Sequence, residues 1–304
     1  MIKNIEAVLH FIKVIVQTFE ADWLPNNITL DILRLDLLHP VISGNKWFKL
    51  KYYLQDALEK SFAQVVTFGG TYSNHIVATA FACNVLKLEC TGIIRGEQPA
   101  ELSHSLKQAQ EYGMKLKFVS RNQFNNTDEI LQQFANAYYI PQGGYGELGL
   151  KGVAEILSFI PALSSYTHIV CAVGTGTMLA GIVHASLSFQ QIIGISIMKE
   201  NKSLEQEINS LLSQQDKSKS LILLHQFHCG GYAKKTNDLI QFMQTTWNEN
   251  KLPTDIVYTA KTLYAIKKLV ADNYFPPGSK ILMINSGGLQ GNNSLPPGVL
   301  PFSI

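Results

Sequence analysis

Ser43-Gly44-Asn45-Lys46-Trp47-Phe48-Lys49 is the stretch around which the chain is organised. Gly44 and Asn45 are turn formers, and the apolar positions Trp47, Leu50, Leu54 and Leu58 predict a helix from Lys46 to about Lys60. Lys46 then falls in the first turn of that helix, where the macrodipole places partial positive charge and a lysine is normally disfavoured. Lys49 lies on the same face and within reach of the same ligand. An amine held near positive charge loses ammonium stability, which is how a lysine becomes a nucleophile for a carbonyl. The alternative is two solvated lysines at a helix start, and three later stretches turn the reading against it.

Outward from this helix the pattern is regular. Val65–Phe68 reads as a buried strand, Gly69–Asn74 as a turn, and the Ala- and Val-rich segment His75 to Leu86 as a helix. Strands follow at Cys90–Ile94, Lys115–Val119 and Tyr138–Ile140, with helices near Glu101–Tyr112 and Asp128–Ala137, up to the loop Pro141–Gly146. The second half repeats the rhythm. A helix at Leu148–Leu163 precedes a strand at His168–Val173, a helix from Gly174 to about Ser186 and a strand at Ile192–Ile197. A polar helix near Ser203–Ser213 leads to a surface loop, Ser213–Ser220, and to strand Leu221–Leu224. Helices to about Trp247 and Asn273 and strand Lys280–Ile284 complete it. Residues 1–45 are mixed: a helix-like opening, then an alternating segment from Ile28 to Leu38 that reads as one or two strands. Strands alternating with helices predict an α/β protein with mainly parallel sheets. The split near Gly143 predicts two α/β lobes.

The Gly-rich turns lie where such sheets bind ligands, beyond the carboxyl ends of strands. Gly174-Thr175-Gly176-Thr177 runs from strand into helix, so free N–H groups and the helix N-terminus suit a phosphate. Met178-Leu179 excludes a Walker A loop, while a dinucleotide site or a plain tight turn stays open. Gly69-Gly70-Thr71-Tyr72-Ser73-Asn74-His75 suits a small carboxylate, held by Thr71, Ser73 and helix N–H groups; a simple cap by Ser73 or Asn74 is an even rival. His75 reads equally as a packed core histidine. Ser286-Gly287-Gly288 offers a hydroxyl at the end of the last strand, and Tyr232 and Tyr258 sit in loop or strand-end positions.

Composition narrows the class. With 304 residues, 46% hydrophobic and 16% charged, the chain suits one large domain or two intertwined lobes. A net charge of +2 leaves no footprint for nucleic acid or an anionic membrane surface. Cys83, Cys90, Cys171 and Cys229 have no metal-ligand spacing and read as reduced thiols, so no metal is expected. No run is long enough to span a membrane and the N-terminus lacks a secretory pattern, so a soluble cytoplasmic protein is expected.

Taken in order, Ser43-Gly44-Asn45-Lys46 with Lys49, Gly69 to His75, Gly174 to Thr177, Val257-Tyr258-Thr259 with Lys261, and Ser286-Gly287-Gly288 resemble one family. They look like the pyridoxal-phosphate enzymes of the tryptophan-synthase-β fold (fold type II), specifically the 1-aminocyclopropane-1-carboxylate deaminase and D-cysteine desulfhydrase group. The resemblance runs from about Leu33 to Gly288. It implies a two-lobed fold, with residues 46–142 as the smaller lobe and 1–45 with 143–304 as the larger, and a homodimer. It implies that Lys46 forms the Schiff base with the cofactor aldehyde, that Lys49 binds phosphate and that Gly174, Thr175, Gly176 and Thr177 form the phosphate cup. Asn74 is implied beside the phenolic oxygen, Ser73 at the substrate and Tyr232 and Tyr258 near it. The pyridine nitrogen is left to Ser286 or Thr259, with Ser286 favoured by its place next to the final Gly-Gly at a strand end.

Two positions discriminate within the group. Deaminases of the cyclopropane substrate carry Glu after the tyrosine matching Tyr258 and Leu before the last Gly-Gly; this chain has Thr259 and Ser286, as desulfhydrases do. A carboxylate at the pyridine nitrogen deepens the electron sink, which ring opening needs more than loss of a good β-leaving group. The expected reaction is therefore β-elimination from a small amino acid, D-cysteine first, giving pyruvate, ammonia and sulfide. The alternatives are 1-aminocyclopropane-1-carboxylate deaminase, a catalytically inactive cofactor- or amino-acid-binding protein, and a nicotinamide-dependent enzyme. Departures from the family pattern fall at Gly230–Lys234, Ala260 and Leu289–Asn292, loops expected on the substrate side.

Overall fold

The structure is a computed structural model that describes residues 5, 9, 11 and 14–302. Its elements form two sheets flanked by helices. The smaller sheet holds four parallel strands in the order β5-β4-β3-β6, namely Lys115–Val119, Glu89–Arg95, Gln64–Gly69 and Tyr138–Ile140. The larger holds six in the order β1-β2-β10-β7-β8-β9: Val16–Phe19, Thr29–Arg34, Lys280–Asn285, His168–Val173, Gln191–Ser196 and Leu221–Leu224. All its pairings are parallel except that of β1 with β2. The α/β architecture with mainly parallel sheets is thus present. Central strands are apolar runs because helices cover both faces; β7 and the inner part of β8 are wholly buried.

Numbered over the described residues, the helices are α1 Asn45–Glu59, α2 Asn74–Leu86, α3 His104–Glu111, α4 Arg121–Asn125, α5 Thr127–Leu131 and α6 Glu147–Ala154. They continue with α7 Thr177–Ala185, α8 Leu204–Leu211, α9 Gln214–Lys217, α10 Asn237–Asn250 and α11 Thr259–Ala271. The helix around Lys46 forms because its apolar spacing buries Trp47, Phe48, Leu50 and Leu54, each worth about 1.5–3 kcal/mol of transfer free energy. None of these helices is long and apolar enough to cross a membrane.

Several expectations are corrected. The helix-like opening lies largely outside the described residues, of which Ile5 and Leu9 are helical, but Val16–Phe19 is a strand lying along the edge of β2. The helix expected through Leu163 ends as an α-helix at Ala154, tightens to a 3-10 turn over Glu155–Phe159 and stops at an extended Ile160. Pro161 is the cause, because it pushes the residue before it out of the helical region. The expected Asp128–Ala137 helix is only the short α5 with a 3-10 turn at Gln132–Phe134. Ser213–Ser220 is not a simple loop. Ser213 and Asp216 form a capping box that starts α9, and the buried Asp216 pairs with His184 at 2.9 Å and Lys219 at 3.4 Å.

Candidate active site

The carboxyl ends of strands from both sheets open on one cavity of about 610 Å³. Lys46 and Lys49 enter it from α1, Gly70 to His75 from the turn after β3, and Gly174 and Thr175 from the turn after β7. Ser286 to Gly288 enter after β10, and Tyr232 and Tyr258 close the remaining wall. Gly176 and Thr177 lie just behind, at the start of α7.

The docking of α1 depends on Gly44. Its φ of +63° is a left-handed conformation, and a Cβ there would lie 1.7 Å from the Ser286 carbonyl oxygen. Asn45 N donates to that same oxygen at 3.1 Å, so the helix start is fixed to the end of β10. Lys46 Nζ donates to Asn45 Oδ1 at 2.7 Å and lies 5.7 Å from the centre of the Tyr258 ring. Burial lowers the Lys46 ammonium to about 8, with the Asp255 charge pulling the other way. Lys49, buried more deeply, is lowered to about 7 by burial and then by the Lys46 charge. Burial, rather than the positive charge at the helix start expected from the sequence, thus lowers the Lys46 amine.

At the start of α2, Ser73 is also the N-cap, its Oγ accepting from Ile76 N at 3.4 Å. Asn74 Nδ2 donates to Gly288 O at 3.4 Å, while its Oδ1 is buried without a partner. His75 is packed and also lines the cavity. Thr67 Oγ1 gives its proton to Ile140 O at 2.8 Å, so at 2.8 Å from His75 Nε2 it can only accept. The ring therefore carries its proton on Nε2, and Nδ1 is a buried acceptor without a partner. Burial and the two lysines hold the imidazole neutral, lowering it to about 3.

At the start of α7 no side chain caps the helix, and the hydroxyls of Thr175 and Thr177 are buried without partners. Tyr232 and Tyr258 meet edge to face, with ring centres 6.2 Å apart. Burial pushes both phenols up, so they stay protonated at neutral pH.

Thr259 is placed elsewhere than expected. It is fully buried behind the wall, and its hydroxyl is committed to Asp255 Oδ1 at 2.8 Å. Ser286 faces the cavity instead. Asp255 itself went unread in the sequence. Its carboxylate is fully buried and accepts from Val257 N, Tyr258 N, Thr259 N and Thr259 Oγ1 at 2.8–3.0 Å. An aspartate just before a helix is a cap signal, and that signal is in Thr254-Asp255. Asn45, Gln142 and Gly143 also line the cavity, with Arg95 and Arg121 exposed at its mouth.

Two parallel-sheet units with a lysine on one helix start and an uncapped, hydroxyl-lined second start define a fold type II pyridoxal-phosphate enzyme. The chain belongs to the family of pyridoxal-phosphate dependent enzymes, whose pattern matches residues 26–287. It is 27% identical to the solved structure of an ACC deaminase homologue, with a TM-score of 0.77 over 95% of each chain. It is 28% identical, over 86% of this chain and 84% of the relative, to a putative 1-aminocyclopropane-1-carboxylate deaminase of Pyrococcus horikoshii. A bifunctional D-cysteine desulfhydrase/1-aminocyclopropane-1-carboxylate deaminase of Arabidopsis thaliana is 27% identical over 88% of this chain and 74% of that protein. The residues present fit the cofactor. It brings an anionic phosphate, a phenolic oxygen and a ring nitrogen; the orphaned hydroxyls of Thr175 at the cavity and Thr177 just behind it can donate to the first, and the Asn74 amide nitrogen, which gives only one long bond, to Gly288 O, can donate to the second.

Proposed function

We propose that the protein is a lyase that removes the β-substituent and amino group of a small amino acid, with D-cysteine as first candidate. Water is consumed, and pyruvate, ammonia and sulfide are released. The observation that carries this reading is convergence: Ser73, Tyr232 and Tyr258 line the same cavity as Lys46. A carrier of cofactor alone has no use for such a substrate wall. The elimination, rather than ring opening, is supported by the hydroxyl of Ser286 at the end of β10. Asp255 lies outside the cavity lining with its oxygens already engaged, and Glu97 is exposed.

Bound pyridoxal phosphate supplies an electron-withdrawing ring that stabilises negative charge at the substrate's α-carbon. In this reading Lys49, Thr175, Thr177 and the free N–H groups of α7 hold the phosphate, and Gly174 and Gly176 keep the turn open around it. The Asn74 amide meets the phenolic oxygen, and Ser286 hydrogen-bonds the ring nitrogen without adding charge. Thr71 and Ser73 hydroxyls and the start of α2 bind the substrate carboxylate. Lys46 Nζ, oriented by Asn45 Oδ1, takes the α-proton; its pKa of about 8 keeps a usable fraction unprotonated near neutrality. As the Cβ–S bond breaks, Tyr232, with Tyr258 behind it, donates a proton to the leaving sulfur. The aminoacrylate released is hydrolysed to pyruvate and ammonia. The two sheets support taking residues 46–142 as one lobe of the enzyme and the remainder as the other.

A second reading, 1-aminocyclopropane-1-carboxylate deaminase, is favoured by the names of several relatives. One experiment separates the two. Purified protein supplied with pyridoxal phosphate should show a visible absorption band that shifts on adding D-cysteine as sulfide appears. Borohydride should fix the cofactor on the Lys46 peptide. Ammonia and 2-oxobutyrate from the cyclopropane substrate, with no sulfide from D-cysteine, would move the assignment to the second reading.

A further inference from the structure

Lys261 is fully buried, yet no step above uses it. Its ammonium makes one hydrogen bond among the described residues, to the Gly231 carbonyl oxygen at 2.6 Å. A buried cation satisfied once is expensive, and an apolar side chain of similar volume is usually tolerated as well or better in such a place. The charge of the buried Asp255 carboxylate offsets part of that cost, and the single acceptor directs attention to the segment the ammonium holds. That segment is strained. Cys229, Gly230, Gly231 and Ala233 have φ of 51°, 92°, 124° and 53°, which brackets Tyr232 with left-handed backbone on both sides. Non-glycine residues in that region cost about 1–3 kcal/mol each and persist only where the surroundings hold them. Tyr232 is 40% exposed and reaches the cavity from this loop, against Tyr258. Lys261 lies in the first turn of α11, the helix that begins directly after Tyr258.

We propose that Lys261 is a positioning residue: it clamps the strained Cys229–Ala233 loop through the Gly231 carbonyl and so holds Tyr232 against Tyr258 in the cavity. The same helix start thus fixes both tyrosines, Tyr258 through the Asp255 carboxylate and Tyr232 through the Lys261 ammonium. The role of Tyr232 at the leaving group rests on the proposed β-elimination; the clamp on the loop does not.

The test is Lys261→Met, in which the side chain keeps its volume and loses its donor, with Lys261→Leu as a second apolar variant. Hydrogen–deuterium exchange is measured on the cofactor-free protein. Amides of the 229–233 loop should exchange at least about tenfold faster in the variant, while those of β7 and α1 are unchanged. In the enzyme supplied with cofactor, kcat on D-cysteine should fall by about tenfold or more with cofactor affinity unchanged. The same substitution in a Tyr232→Phe background should cost nothing further. Unchanged loop exchange overturns the clamp, and an undiminished effect in the Tyr232→Phe background overturns the route through Tyr232. Failure of both apolar variants to fold also overturns the proposal, since the lysine would then serve the whole fold. Should wild-type protein release no sulfide from D-cysteine, the β-elimination reading fails while the exchange measurement still decides the clamp.

Discussion

The starts of α2 and α7 face the same cavity, follow strands of the two sheets and read alike in sequence: glycines, then hydroxyl residues, then an Ala-rich helix. In the structure they differ. The first carries a side-chain cap, Ser73 Oγ accepting from Ile76 N and Asn74 Nδ2 reaching Gly288 O, with two acceptors, Asn74 Oδ1 and His75 Nδ1, buried without partners. The second is left open, with no side-chain cap and with Thr175 and Thr177 hydroxyls buried and unpaired. A buried polar group without a partner costs about 1–3 kcal/mol. An open helix start is therefore a site prepared for a ligand that completes it, and a capped one serves a ligand that only visits. On the proposed function, the permanent cofactor phosphate would sit at α7 and the transient substrate carboxylate at α2.

The largest effect should come from the group that faces both starts. Lys46→Ala removes the amine and should lower turnover by about 10²–10⁴-fold at the proton-transfer step alone, in practice to background. Retention of the cofactor by the phosphate cup should survive, measured as bound phosphate ester after gel filtration. Loss of cofactor and activity together would mean that α7 is not an independent anchor.

Thr175→Val and Thr177→Val test the open start directly. Each removes one donor to the phosphate and should weaken cofactor binding by about 1.5–3 kcal/mol, or roughly tenfold to more than a hundredfold. The sign in the cofactor-free protein is opposite. There the substitution deletes an orphaned buried hydroxyl, so thermal stability should be equal or higher. A variant that is less stable without cofactor would show that the hydroxyl has a partner in the free protein and that α7 is not open.

Much of this contrast is legible in the sequence. The strand runs Val65–Phe68, His168–Val173 and Leu221–Leu224 are short and mainly apolar, and they stand where expected. Ser73, Thr175 and Ser286 could be placed because glycine turns announce strand ends in parallel sheets, and Lys46 because Gly44-Asn45 announces a helix start. What remained hidden depends on contacts distant in the chain. Asp255 and Lys261 are charged residues near a helix start, and only burial shows that neither is solvated. Thr259 sat in the motif but faces Asp255, four residues earlier, because that carboxylate gathers the loop around itself. Periodicity failed where one residue overrode it, as at Pro161, or where a strand was too short to alternate visibly, as at Val16–Phe19.

Lys49 gives the contrast a pH signature. Its ammonium is lowered to about 7 and that of Lys46 to about 8, against an ordinary value of 10.5. Below about pH 7 both folded and unfolded chains hold these protons, so the burial penalty is present in full. Above about pH 8 the folded chain has shed them while the unfolded chain has not. Stability of the cofactor-free protein should therefore rise with pH between about 8 and 10, by up to about 1.4 kcal/mol per unit for each lysine. Phosphate bound at α7 restores a counter-charge to Lys49, so the cofactor-bound protein should show a shallower rise. Thermal melts across that range, with and without cofactor, check both slopes; identical slopes would separate Lys49 from the phosphate.

Ser73→Ala should have the smallest effect and the sharpest meaning. The lost cap alone costs about 0.5–2 kcal/mol of stability, because Ile76 N loses its acceptor. If Ser73 were only a cap, Ser73→Asn, which keeps a capping oxygen, would restore both stability and activity. The reading of α2 as a substrate site predicts a split instead. Asn should recover the melting temperature while KM stays raised, by a few fold to about tenfold, since the longer amide occupies the space of the visiting carboxylate. Restoration of both by Asn would reduce the α2 start to a self-contained cap, and substrate binding would then pass to Thr71 and the tyrosine pair.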